Sequence, residues 1–141
     1  MIRGVGDRNV LDDFALKFCE VIEKHVKYII VSGFVAISHG RKRTTEDIDM
    51  IIEKMSRENF YLLHEDLIRN GFHCMQSSLV EDIYEYLENK DSIRYTDNEQ
   101  FFPPEMEVKF VKDEIDELQI KTRKKLEFTG LDIWFSSIEM N

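Results

Sequence analysis

Cysteine is scarce in this chain. Cys19 and Cys74 are the only two among 141 residues, far apart and without Cys-x-x-Cys spacing. That excludes a disulfide framework and reads as two reduced thiols in a cytosolic protein. Histidine is equally thin: His25, His64 and His73 do not cluster, so no zinc signature arises. Proline occurs only as Pro103-Pro104, and no repeat, linker or low-complexity tract divides the chain. No apolar run approaches the ~20 residues of a membrane helix. The opening Met1-Ile2-Arg3-Gly4-Val5-Gly6-Asp7 lacks the apolar core of a signal peptide. Positive charge is also short, with 19 Lys and Arg against 28 Asp and Glu and a net charge of −9. Non-specific binding to DNA draws almost entirely on phosphate contacts, so this balance argues against it. What remains is a chain of 43% apolar and 33% charged residues, long enough for one domain with a real core.

Chemistry concentrates in one stretch, Ser32 to Ile52. It opens on Ser32-Gly33 after an apolar run and closes on Asp47-Ile48-Asp49 inside another. Residues two apart on a strand share a face. Asp47 and Asp49 would therefore project side by side, with Ile48 and Met50 turned into the core. Adjacent carboxylates repel, and a divalent cation relieves the repulsion. Phosphoryl and nucleotidyl transfer use cation pairs ~3.5–4 Å apart to hold attacking and leaving oxygens in line. Ser32-Gly33 would lie at a helix N-terminus, where free backbone N–H groups accept phosphate. Arg41-Lys42-Arg43 lies between the two motifs. A second basic cluster, Lys121 with Arg123-Lys124-Lys125, reads as a solvated face or as the complement of a helix C-terminus.

The remaining pattern mixes helices and strands. Leu11, Phe14, Phe18, Ile22 and His25 make a helical stripe over 10–27, with Asn9 as cap. Residues 28–32 and 47–53 read as strands, with a short helix at 33–39 ended by Gly40. Ser56 caps a helix that stops at Asn70-Gly71. A β-rich or loop segment covers 72–77, and 78–90 reads as a helix. Tyr84, Tyr86 and Tyr95 read as half-buried aromatics. Strands follow at 92–97 and 105–111, then a helix over 113–121. Leu126-Glu127-Phe128 and Leu131 to Phe135 flank Thr129-Gly130 as a hairpin. The order predicts an α/β or α+β fold around a central mixed β-sheet flanked by helices. In the strand 105–111, Met106, Val108 and Phe110 alternate inward, so Glu107 and Lys109 share the opposite face. A carboxylate at Glu107 would complete a metal site or take a proton from an attacking hydroxyl. Glu105, Asp97 and Glu99 compete for that role, and Lys109 would neutralise a triphosphate or pair with Glu107. Ser136 and Glu139 carry the spacing of a capping box, with too little chain after them for a helix.

The stretch 28–53 resembles the signature of the polymerase-beta-like nucleotidyltransferases. The similarity is nearest to the branch that holds AbiEii-type toxins and minimal nucleotidyltransferases. That branch reads Gly-Gly-x-Ala-x-x-x-His-Gly-x-x-Arg-x-Thr-x-Asp-Ile-Asp. His39, Gly40, Arg43, Thr45, Asp47, Ile48 and Asp49 fall in register, with Ser32 in place of the first Gly. The resemblance implies a nucleotidyltransferase fold with the Asp-x-Asp strand central. It implies an enzyme that moves a nucleoside monophosphate from an NTP to an acceptor hydroxyl and releases pyrophosphate. Asp47, Asp49 and Glu107 would be the catalytic and metal-binding acids, for two Mg2+ ions or Mn2+. Ser32, Gly33, Arg43, Thr45 and Lys109 would hold the nucleotide. The acceptor stays open among an RNA end, a protein and a small molecule, and a homodimer or partner protein is expected. The family's C-terminal helical segment is expected to be missing after residue 135. The competing expectation is a catalytically inactive nucleotide-binding or toxin–antitoxin interaction module of the same fold.

Overall fold

The computed structural model describes residues 10–31, 47–97, 104–125 and 130–137, and every structural statement below concerns these. In chain order the elements are α1 (Val10–Glu23), β1 (Tyr28–Ile30), β2 (Asp47–Ile52), α2 (Arg57–Arg69), β3 (His73–Cys74), α3 (Val80–Glu88), β4 (Ile93–Thr96), β5 (Glu105–Phe110), α4 (Glu114–Lys121), β6 (Lys124–Lys125) and β7 (Trp134–Phe135). The strands form one mixed seven-stranded sheet in the order β3-β4-β5-β2-β1-β7-β6. β2 and β5 pair in parallel near its centre, and β1 runs antiparallel to β2 on the other side. The expected α+β class with a central mixed sheet is the architecture observed. The helix expected at 33–39 lies outside the described residues.

Alternation along the strands builds two unequal cores. On one face Ile48, Met50 and Ile52 of β2 join Met106, Val108 and Phe110 of β5. Helices α1, α2 and α3 cover that face through Phe14, Phe18, Ile22, Phe60, Leu63, Leu67, Ile83 and Leu87. The side chains are large and burying each stabilises by about 1.5–3 kcal/mol, so this layer dominates the fold. The opposite face carries a smaller cluster of Ile29, Ile51 and Val111, over which Ile120 of α4 closes. The rest of that second face carries the polar side chains of β2 and β5.

Local signals set most element ends. The Ser56 hydroxyl accepts from the Asn59 N–H at 3.1 Å, and Asp113 accepts from the Asp116 N–H at 2.9 Å, so each caps its helix. Gly71, at φ +92°, takes the left-handed turn that stops α2 after its C-cap Asn70. Ser56→Ala removes one satisfied donor and is expected to lower stability by about 1 kcal/mol. Urea denaturation midpoints would measure it; an unchanged midpoint would mean that the cap is replaced by water at no cost.

Several elements differ from the sequence reading. α1 stops at Glu23, and His25 instead hydrogen-bonds Asp66 at 2.8 Å, tying the chain to α2. α3 starts at Val80, because the Ser77 hydroxyl accepts from the Leu79 N–H at 3.0 Å ahead of it. Tyr95 is fully buried, with its hydroxyl on His64 Nδ1 at 2.7 Å, and Tyr84 is buried too; Tyr86 is exposed. The C-terminal hairpin pairs at Lys124–Lys125 with Trp134–Phe135, nearer its base than expected, and 126–129 lie outside the described residues. Ser136 directly follows β7. It is buried, its N–H donates to the Ile30 carbonyl at 3.1 Å, and its hydroxyl donates to Gln119 at 2.8 Å. Glu139 lies outside the described residues. Both cysteines are free, and burial raises both thiols above their ordinary range, which leaves them unreactive at neutral pH. Among the described residues no helix is long and apolar enough to cross a membrane.

Candidate active site

The site is assembled by strand register. Ile48 and Met50 are buried in the larger core, so Asp47 and Asp49 of β2 stand on the opposite face. Met106, Val108 and Phe110 are likewise buried, which turns Glu105, Glu107 and Lys109 of β5 the same way. The parallel pairing sets Asp47 beside Glu105, Asp49 beside Glu107 and Ile51 beside Lys109. Strands lie ~4.7–4.9 Å apart, so four carboxylates share one small square of the sheet surface. β4 adds the flank, because Arg94 is registered against Glu107.

The electrostatics follow from that square. The Asp49 carboxyl is raised above its ordinary range, first by lost hydration against the sheet and next by repulsion from Glu107; Lys109 opposes and Asp47 adds. Glu105 is raised as well, by lost hydration and then by Asp47, with Arg94 opposing. The Arg94 Nε lies 4.0 Å from Glu105 and 3.9 Å from Glu107, at the limit of an ion pair. The Ser92 hydroxyl donates to Glu107 Oε2 at 2.7 Å. Negative charge is thus concentrated, and neighbouring carboxylates raise Asp49 and Glu105, an arrangement met at functional sites.

Of the residues expected from sequence, Asp47, Asp49 and Glu107 come together, and Lys109 lies further along the same face. Glu105, a competitor, sits within the square, whereas Asp97 is exposed beyond the end of β4. Ser32, Gly33, Arg43, Thr45 and Glu99 lie outside the described residues. The flanking positions of 32–46 are close to the site: the Val31 N–H donates to the Asp49 carbonyl at 3.1 Å, and Asp47 opens β2. Sequence reasoning missed Ser92 and Arg94. The alternation of Ile93 and Tyr95 into the core was a signal for the orientation of Arg94; its neighbour was not.

The donors suit magnesium, a hard cation that prefers oxygen. Among the described residues no three His, Cys, Asp or Glu side chains converge on a ready metal cage. Magnesium does not require one, since it usually keeps waters and binds through one or two carboxylates and substrate phosphates. The Asp47–Asp49 pair meets that smaller demand. The class defined by fold and site is therefore a mixed α/β domain with a carboxylate cluster at its central parallel strand pair. No protein-family model matches the chain, and no curated protein matches it either.

Proposed function

We propose that this chain has the nucleotidyltransferase fold and is a metal-dependent nucleotidyltransferase of the polymerase-beta-like kind. The observation that carries the reading is the register of β2 on β5, which gathers Asp47, Asp49, Glu105 and Glu107 on one face. The sequence around it supports the same reading, with Ser32-Gly33 and Arg43-x-Thr45 at the family's spacing from Asp47. Asp47 and Asp49 would hold magnesium, or manganese, which when bound supplies positive charge to the triphosphate. The acceptor hydroxyl oxygen forms a bond to the α-phosphorus, and the bond from that phosphorus to the bridging oxygen breaks. Pyrophosphate leaves, and the hydroxyl proton passes to a carboxylate, for which Glu107 beside Asp49 is placed. Lys109 and the Ser32-Gly33 backbone would hold the phosphates.

Incubation with each labelled NTP, magnesium or manganese and cell extract would test the reading. Transfer of label to an acceptor, loss of transfer in EDTA and release of pyrophosphate are expected. NTP binding without transfer, for all four nucleotides, would favour a catalytically inactive nucleotide-binding or interaction module. Two contacts favour that second reading: Arg94 and Ser92 already engage Glu107.

A further inference from the structure

One cavity among the described residues lies away from the carboxylates. It lies at the other end of the same two strands, where β2 and β5 finish, and encloses about 440 Å³. Glu53 and Lys54 follow β2, Lys112 follows β5, Lys27 precedes β1, and Glu117 and Lys121 come from α4. Backbone bonds fix its rim: the Glu53 N–H donates to the Lys27 carbonyl at 3.1 Å, and the Val111 N–H to the Ile52 carbonyl at 2.9 Å. Crevices outside the carboxyl ends of parallel strands are where α/β sheets recurrently bind ligands. The volume lies within the ~300–1,000 Å³ range of small-molecule sites.

Four lysines, Lys27, Lys54, Lys112 and Lys121, line it in a chain whose net charge is −9. Lys112 is partly satisfied, since Asp116 lies 3.4 Å from its Nζ. Lys27, Lys54 and Lys121 make no ion pair among the described residues, although Glu53 and Glu117 line the same cavity. Lysines gathered without partners repel one another, and a multiply charged anion removes that repulsion. Val111 and Ile120, both buried, give the cavity an apolar floor. Glu53 and Glu117 can accept hydrogen bonds from hydroxyl or amino groups. An inorganic ion would use the lysines and leave floor and glutamates idle.

We propose that this cavity binds a small organic diphosphate of the nucleoside diphosphate class, at a site separate from the Asp47–Asp49 face. The phosphates sit among Lys27, Lys54 and Lys121, and the body of the ligand lies on Val111 and Ile120. The inference does not depend on nucleotidyl transfer.

The test is titration of the full chain with ADP in EDTA, which removes the metal that the carboxylates would need. Calorimetry and amide NMR would read it together. Saturable binding is expected, with shifts at Lys54, Lys112, Ile120 and Lys121 and weaker binding of inorganic phosphate. The double variant Lys54→Ala/Lys121→Ala should weaken ADP by at least about tenfold, the loss of one charge-assisted hydrogen bond or more. Lys54→Arg/Lys121→Arg should retain most affinity. Asp49→Asn should leave it unchanged, so failure of the metal site and failure of this one are told apart. No saturation at millimolar ADP would overturn the proposal. So would equal affinity for inorganic phosphate, indifference to the alanine pair, or binding of a single-stranded oligonucleotide but not of ADP.

Discussion

Asp49→Asn will abolish the proposed metal-dependent nucleotidyl transfer and will raise the stability of the metal-free protein. The two effects have one cause. Asp49 lies in register with Glu107 and two residues from Asp47, and its carboxyl is held above the ordinary range by lost hydration and by Glu107. Asparagine keeps the shape and removes the charge, so the cation loses a ligand. Activity is expected to fall by at least about 10²-fold, the scale on which one preorganised charge-stabilising group acts in catalysis. The stability gain is smaller, on the order of 0.2–1 kcal/mol, as for like charges facing each other across strands.

The sign of the pH dependence follows. A carboxyl with a raised folded-state pKa binds its proton more tightly in the folded than in the unfolded chain. Its cost is full above the raised value, where both states are ionised, and is relieved as pH falls through that value. The melting-temperature gap between Asp49→Asn and wild type should therefore be widest in EDTA at pH above the raised value and close in acid. Magnesium with NTP should stabilise the wild type and not the variant. Full turnover by the variant would remove Asp49 from the site. A variant less stable than wild type in EDTA would show that Asp49 serves the fold.

How much of this was legible in the sequence depended on range. Period-two alternation placed Asp47 and Asp49 together and put Glu107 on one face with Lys109, because each strand has a buried side of Ile, Met, Val or Phe. Caps were legible for the same local reason, as with Ser56 and Asn70-Gly71. Strand order was not. The pairing of β2 with β5 joins segments far apart in the chain, and nothing local in Glu105 to Phe110 names its neighbour. Glu105 therefore stood as a rival to Glu107 when both share the face, and Arg94 went unnoticed. The lysine cavity was invisible for the same reason, since it draws on four separate segments. The contacts of Ser136 were set at long range too, since β7 pairs with β1 and the Ser136 hydroxyl reaches Gln119.

Phe18→Ala will cost about 3–5 kcal/mol of stability, the range for a fully buried aromatic truncated to alanine. That is a large share of the ~5–15 kcal/mol that holds a typical domain together. Phe18 is completely buried on the inner face of α1. Its ring lies 5.0 Å from Phe72 and 5.6 Å from Tyr95, centroid to centroid, and 6.2 Å from Phe14. It thus joins α1 to the turn after α2 and to β4. Tyr95 extends the connection, since its neighbour Arg94 faces the carboxylates on the other side of the sheet. The loss should appear as a lower urea midpoint with an unchanged slope, and Phe18→Leu should recover most of it. Activity per folded molecule should change little, because the ring lies behind the sheet, on the face opposite Asp49. A loss below about 1 kcal/mol, the scale of a surface substitution, would mean that α1 does not carry the core. A collapse of activity at full stability would place Phe18 in the catalytic machinery, which its position behind β4 and β5 does not allow.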